Sequence, residues 1–176
     1  MTIDWRALDK QVGGCWGTEP GIRVLELIVG GENIRGAVDH WITFEPGYGA
    51  AEQVLLIMRS TIAMEYCYEI YKNEPNTERA GRAIFLLSEM ADWRFMRWAR
   101  ELMDDSRTRW NTVVALEQVL KGALGDEGIA LAKELLAEAE TDNDQRLRER
   151  EVEIHKRLAA NPFLKHLGLS NPVRGE

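Results

Sequence analysis

Apolar residues recur along this chain at intervals of three and four, the spacing that lines one face of an α-helix. Five widely placed prolines (Pro20, Pro46, Pro75, Pro162 and Pro172) punctuate the pattern. Ile22, Leu25 and Ile28 predict a short first helix, and Ile34, Val38 and Trp41 a second one after Gly30-Gly31. Gly47-Tyr48-Gly49 breaks the chain, and Val54, Ile57 and Met58 resume the period. Ile62 to Tyr71 reads as a further helix, separated from the last by a kink near Ser60-Thr61. No stretch alternates with period two, so the expectation is an all-α protein.

The second half follows the same rule with clearer boundaries. Asn76-Thr77 offers a cap for a helix carrying Ala80, Ala83, Ile84 and Leu87, because a side-chain oxygen there satisfies a free N–H of the first turn. Asp92 is expected to cap a helix with Phe95, Ala99 and Leu102 inward, and Asp105-Ser106 to precede one using Val113, Leu116, Val119 and Leu120. Asp126 is expected to cap a helix using Ile129, Ala132 and Leu136. Asp142 followed by Gln145 has the look of a capping box, opening a last helix with Leu147, Ile154 and Leu158.

The helices read as pairs, and the pairs repeat. A shift of thirty carries Val24, Leu25 and Leu27 onto Val54, Leu55 and Ile57, and Ile34, Ala37, Val38 and Trp41 onto Met64, Cys67, Tyr68 and Tyr71. Further shifts of about thirty-one and thirty-three continue the series through Trp98, Ala99 and Leu102 to Ala132 and Leu135, and the spacing drifts to about thirty-seven for the final pair. The segments Ala80 to Leu87 and Asn111 to Leu120 resemble first helices of HEAT-like repeats, and Gly128 to Leu136 resembles a second helix. The chain departs from that family in its short Gly30-Gly31 turn, its aromatic-rich second pair, and the lack of an inter-helix Asp or Arg in every repeat. The resemblance implies a short right-handed α-solenoid of stacked antiparallel helix pairs, about four or five repeats. It would form a single domain over residues 1–169, with Phe163, Leu164 and Leu167 capping the last pair and a flexible tail at 170–176. An irregular helical bundle is the other architecture with this pattern.

Composition narrows the functions. Of 176 residues, 22 are Lys or Arg and 29 Asp or Glu, a net charge of -7. That balance disfavours nucleic acid, whose phosphates need a basic surface, and anionic lipid with it. Residues 1–90 hold 13 acidic and 8 basic side chains, and residues 91–176 hold 16 and 14. Cys15 and Cys67 are too far apart for a metal or redox motif. With no signal-peptide layout and no long apolar run, a cytoplasmic setting and no membrane contact are expected.

Groups for catalysis do not assemble in the sequence. His40, His155 and His166 lack a second ligand at a metal-binding offset. No lysine follows Gly13-Gly14-Cys15-Trp16-Gly17 as a phosphate loop requires. Glu65 and Glu69 share a helix face, as solvated carboxylates commonly do. The reading is therefore no enzyme, no cofactor and no metal.

The best functional clue is a row of equivalent positions, Asp39, Glu69, Arg100 and Lys133, flanked by Glu65, Tyr66 and Arg97. An acidic patch at Asp39, Glu65 and Glu69, with Tyr66 for contact area, fits a basic protein surface. Trp93, Arg97 and Arg100 complete the candidate partner-binding set. The bland alternative is that Glu69 and Arg100 pair across adjacent repeats. The leading function is thus a non-catalytic module that binds a basic partner protein. Compact acidic HEAT-like chains resemble bacterial immunity families, which implies an immunity or antitoxin role against a basic toxin. A HEAT-like enzyme (a chromophore lyase or base-modifying enzyme) and an oligomeric scaffold are the alternatives, and a dimer is compatible with either binding role.

Overall fold

The computed structural model describes Asp4, Ala7 and residues 19–122 and 125–161. The expectations for Cys15 and its loop Gly13 to Gly17, for His166 and for the segment 162–176 lie outside those residues. Among the described residues there are nine α-helices and no strand, so the all-α reading holds. The chain divides into two units, 1–90 and 91–176.

The first unit contains α1 (Glu19–Val29), α2 (Gly31–Thr43), α3 (Tyr48–Met58), α4 (Thr61–Asn73) and α5 (Glu78–Glu89). Each boundary has a local cause. Gly30, at φ 84°, lets α1 turn directly into α2. Left-handed residues end α2 at Phe44 and α3 at Arg59, whose N–H groups bond back to the carbonyls of Trp41 and Leu55. Arg59 and the extended Ser60 thus separate α3 from α4 outright, where the sequence had suggested a kink. The Ser60 and Thr77 hydroxyls accept from the N–H groups of Ala63 (3.3 Å) and Ala80 (3.1 Å) and start α4 and α5.

Packing centres on α2. Its stripe of Ile34, Val38, Trp41 and Ile42 is buried, and α2 contacts α1, α3, α4 and α5. The most extensive pairings are α2 with α3 and α4 with α5. This displaces the pairing read from sequence by one helix, for α3 and α4 adjoin in the chain but touch little. The turn between them is a left-handed Arg59 followed by an extended Ser60, which directs α4 away from α3, whereas the α2–α3 and α4–α5 connections have four residues each.

In the second unit a 3-10 turn (Trp93–Phe95) leads into α6 (Met96–Asp104), followed by α7 (Arg109–Leu120), α8 (Asp126–Glu140) and α9 (Gln145–Ala160). Asp92 caps the 3-10 turn rather than a full helix, accepting from Arg94 N at 2.9 Å. Asp105 accepts from Arg107 N at 3.0 Å in the turn before α7. Gly125 takes the capping position before α8, with Asp126 its first residue. The cap of α9 is Asp144, which accepts from Arg146 N at 2.9 Å, while Gln145 reaches forward to Glu149. Asp142 serves the connection instead, accepting from Asp144 N and Arg109. The backbone N–H of Asp144 and the charge of Arg109 hold the Asp142 carboxyl below its ordinary pKa. Phe95, Ala99 and Leu102, with Val113, Leu116 and Leu120 of α7, Ala132, Leu135 and Leu136 of α8, and Leu147, Ile154 and Leu158 of α9, form the core.

That core encloses charge. Glu117 on α7 is 1% exposed and accepts from Lys121 Nζ (2.7 Å) and Arg150 Nη2 (2.8 Å), with Arg157 at 3.6 Å. Arg150 also pairs with Glu153 at 2.7 Å. A buried carboxylate is tolerated only when cations reach it, and removing one partner leaves the rest desolvated and uncompensated. Arg150→Ala, which takes the least exposed cation from Glu117 and leaves its carboxylate buried, is therefore expected to lower the unfolding free energy by ~3–5 kcal/mol. The exposed pair partner Arg100, changed to alanine, should cost under ~1 kcal/mol. Urea titration of both variants checks the contrast.

His155 gives a pH signature. It faces the buried Glu151 carboxylate one turn back, and that hydrogen bond, with the charges of Glu151 and Glu140, raises its pKa above 6.5 against the opposing effect of burial. A folded pKa above the unfolded one means the stabilisation is complete below about pH 6.5 and is lost as pH rises through the raised value. The melting temperature is expected to fall across that window, and His155→Gln to flatten the profile.

Candidate functional site

The last two turns of α2 place polar and aromatic groups side by side. Asp39 is gathered into a cluster with residues from α4 and α5. Arg79 Nη2 donates to its Oδ1 at 2.6 Å, and the Tyr66 hydroxyl donates to both carboxylate oxygens at 3.1 Å. Arg79 also bonds Glu74 and, at 3.3 Å, the Tyr66 oxygen. The Arg35 guanidinium lies 5.5 Å from the centre of the Tyr66 ring. Burial raises the Tyr66 pKa, and the hydrogen bond from Arg79 opposes it. The Asp39 hydrogen bond raises that of Arg79. Of the acidic candidates, then, Asp39 already holds a cation and a hydroxyl, and Tyr66 is oriented by both ends. Glu65 and Glu69 are exposed one turn apart on α4.

The other candidates stand in the second unit. Trp93 is exposed, and the Arg97 guanidinium lies 6.0 Å from its ring. Arg100 is engaged by α8, bonding Glu138 at 2.6 Å and Glu134 as well, and Glu138 raises its pKa. Both its partners lie in its own unit.

A second arrangement escaped the sequence reading. Trp41, 3% exposed, stacks nearly parallel to Phe85, with ring centres 5.9 Å apart and an angle of 9°. Phe44 lies 5.6 Å from Trp41 and meets Tyr48 edge-on at 5.1 Å. The Arg82 guanidinium sits 4.3 Å above the Phe44 ring and donates to the Ile42 carbonyl at 2.6 Å, so the arginine is held there by backbone. Phe44, Tyr48 and Phe85 are 46%, 40% and 46% exposed. Glu45 and Glu78 rim them with side chains 65% and 80% exposed. Trp41 Nε1 is buried with no hydrogen-bond partner.

The signal for this cluster was present in part. Trp41, Phe44 and Tyr48 fall within eight residues, and Phe85 sits beside, not within, the buried stripe of α5. Only the α2–α5 contact brings the two segments together.

The described residues include no group of three or more His, Cys, Asp or Glu side chains arranged to hold a metal ion. No helix among them is long and apolar enough to cross a membrane. No family model, curated protein or solved structure matches this chain.

Cys67 lies behind the Asp39 cluster, fully buried on α4. Burial, aided by the Asp39 charge, pushes its thiol far above the ordinary range. Only the thiolate is nucleophilic. In a Cys15→Ser background, Cys67 should resist iodoacetamide in the folded protein and react on addition of denaturant, as mass spectrometry of the labelled chain would read out.

Proposed function

We propose that this chain is a non-catalytic protein-binding module of HEAT-like helix pairs, and that it holds its partner at the aromatic cluster of α2 and α5. What supports the repeat is spacing. The first helices of successive pairs begin at residues 31, 61, 93 (counting the 3-10 turn) and 126, and the second helices at 48, 78, 109 and 145. Units of this length cannot bury an apolar face alone, so they stack.

The observation that carries the binding role is the exposed Phe44, Tyr48 and Phe85 around a buried Trp41. Contiguous exposed aromatics are costly to leave in water and mark contact surfaces, where rigid rings give large buried area for little lost entropy. Glu45 adds an exposed carboxylate beside the rings, Glu78 is paired with Arg82, and the surrounding half of the chain is net acidic, so the partner in this reading is a protein with a basic surface. Glu65 and Glu69 would steer its approach. An immunity or antitoxin protein bound to a basic toxin is the concrete form of this reading.

The test is affinity purification of the tagged protein, followed by calorimetric titration of the purified partner. One basic protein is expected to bind stoichiometrically. Phe44→Ala with Phe85→Ala should weaken it by ~30-fold or more, the usual effect of losing aromatic anchors. Glu65→Lys with Glu69→Lys should act mainly on the association rate and its salt dependence. Protection on co-expression would mark the partner as a toxin. A partner insensitive to the double alanine change moves the site elsewhere, and no retained partner at all removes the reading.

A further inference from the structure

α1 is the least buried helix of the first unit. None of residues 21–29 is buried, although six of them are apolar, and Leu25 and Leu27 stand at 41% and 58% exposure. Each of the other four helices buries at least two side chains. The hold on α1 is polar instead. Glu26 Oε1 accepts from the Ser60 hydroxyl at 2.7 Å and from the Ile62 backbone N–H at 3.1 Å, so a carboxylate of α1 caps the first turn of α4. First-turn N–H groups have no acceptor within their own helix, and Ile62 therefore depends on Glu26. At its other end α1 meets α2 through a single residue. Gly30 has φ 84° and ψ 138°, a conformation costly to any residue bearing a Cβ. A Cβ there would meet nothing nearer than Asn33 Nδ2 at 3.7 Å, so the objection to a side chain is conformational alone. Asn33 Nδ2 also donates to the Val29 carbonyl across this joint at 2.7 Å, an exposed bond that water can replace.

We propose that α1 is a hinged flap, which leaves the rest of the first unit as one cooperative segment with the Glu26 carboxylate as its latch and Gly30 as its pivot. Segments with few buried apolar contacts open at lower free energy than the core. Apolar burial retains α1 weakly, whereas hydrogen bonds to a charged acceptor are stronger than neutral ones, so the latch sets most of the difference between closed and open. An eleven-residue helix does not persist alone in water, and detaching and unwinding are therefore one event. Opening also uncaps α4, because the Ile62 N–H returns to water together with α1. The change stops there: Ala63 and Met64 keep their acceptors, the hydroxyl and carbonyl of Ser60. The flap thus bares the first turn of α4 without unfolding the core around α2.

Residue-resolved amide exchange, read by NMR on the full chain, tests this. In the wild type, the amides of residues 24–29 and of Ile62 are expected to exchange through one common opening. That opening should be more frequent than the one exposing Val38 or Cys67, and nearly independent of urea, since a local event exposes little surface. Glu26→Ala should speed exchange in α1 by about tenfold or more, through loss of its charge-assisted hydrogen bonds, and leave Val38 and Cys67 unchanged. Gly30→Ala penalises only the closed joint. It should accelerate α1 and Ile62 by the same factor, about tenfold, although Ile62 belongs to another helix. Amides of α1 that exchange no faster than Val38 overturn the proposal. So does Ile62 exchange that ignores Gly30→Ala, and so do variants that speed α1, α2 and α4 alike, since α1 would then belong to one cooperative core. Should a variant fail to fold, the wild type decides: a steep urea dependence at α1, shared with Val38, overturns the flap.

Discussion

Burial of one stripe of α2 is the constraint on which the first unit depends. Isolated helices of eleven to thirteen residues are marginal in water, because ordering the first turn costs more than its hydrogen bond returns. Here each helix is held by neighbours, and α2 is the neighbour common to all four others. Ile34 and Val38 serve that packing alone. Trp41 does two things: its indole completes the core, and its faces support Phe85 and Phe44 at the surface. Core and candidate binding surface therefore share a side chain, and the surface aromatics inherit the rigidity of the interior.

The two units use charge differently. In the second unit carboxylates go inside: Glu117 and Glu151 are 1% and 2% exposed, and each is met by cations or a histidine from within a turn or from a facing helix. Of these, the Glu117–Arg150 pair ties α9 to α7, and the desolvation of both partners offsets most of its attraction. In the first unit the comparable cluster is half exposed, with Asp39 and Arg79 side chains at 45% and 35%. Water screens that pair, and its effect is to orient Tyr66 across α2, α4 and α5.

How much of this was legible depended on the range of the interaction. Helix positions followed from the apolar period, and Thr77 was recognisable as a cap because the bond it makes lies three residues away. The start of α9 was misplaced by two residues, for Asp142 and Asp144 offer the same chemistry and only the reach of Arg109 from α7 assigns Asp142 to the connection. Pairing was read one helix out of step because adjacency in the chain was taken for adjacency in space, and a left-handed Arg59 has no compositional mark. Asp39 looked available in sequence because its cation lies forty residues on. The aromatic cluster was missed for the opposite reason. Exposed rings break no rule of a helical pattern, so nothing singled them out until Phe44 and Phe85 each met Trp41.

Phe44 also sets a limit on how this protein can be improved. Its backbone sits at φ 53°, a region that penalises a residue bearing a Cβ by about 1–2 kcal/mol. Glycine would end α2 without that strain, as it does in many helices. It would also strip the ring from under Arg82 and from against Tyr48. Selection for relief of that strain alone would thus favour glycine at this position and remove a ring of the candidate surface as it did so.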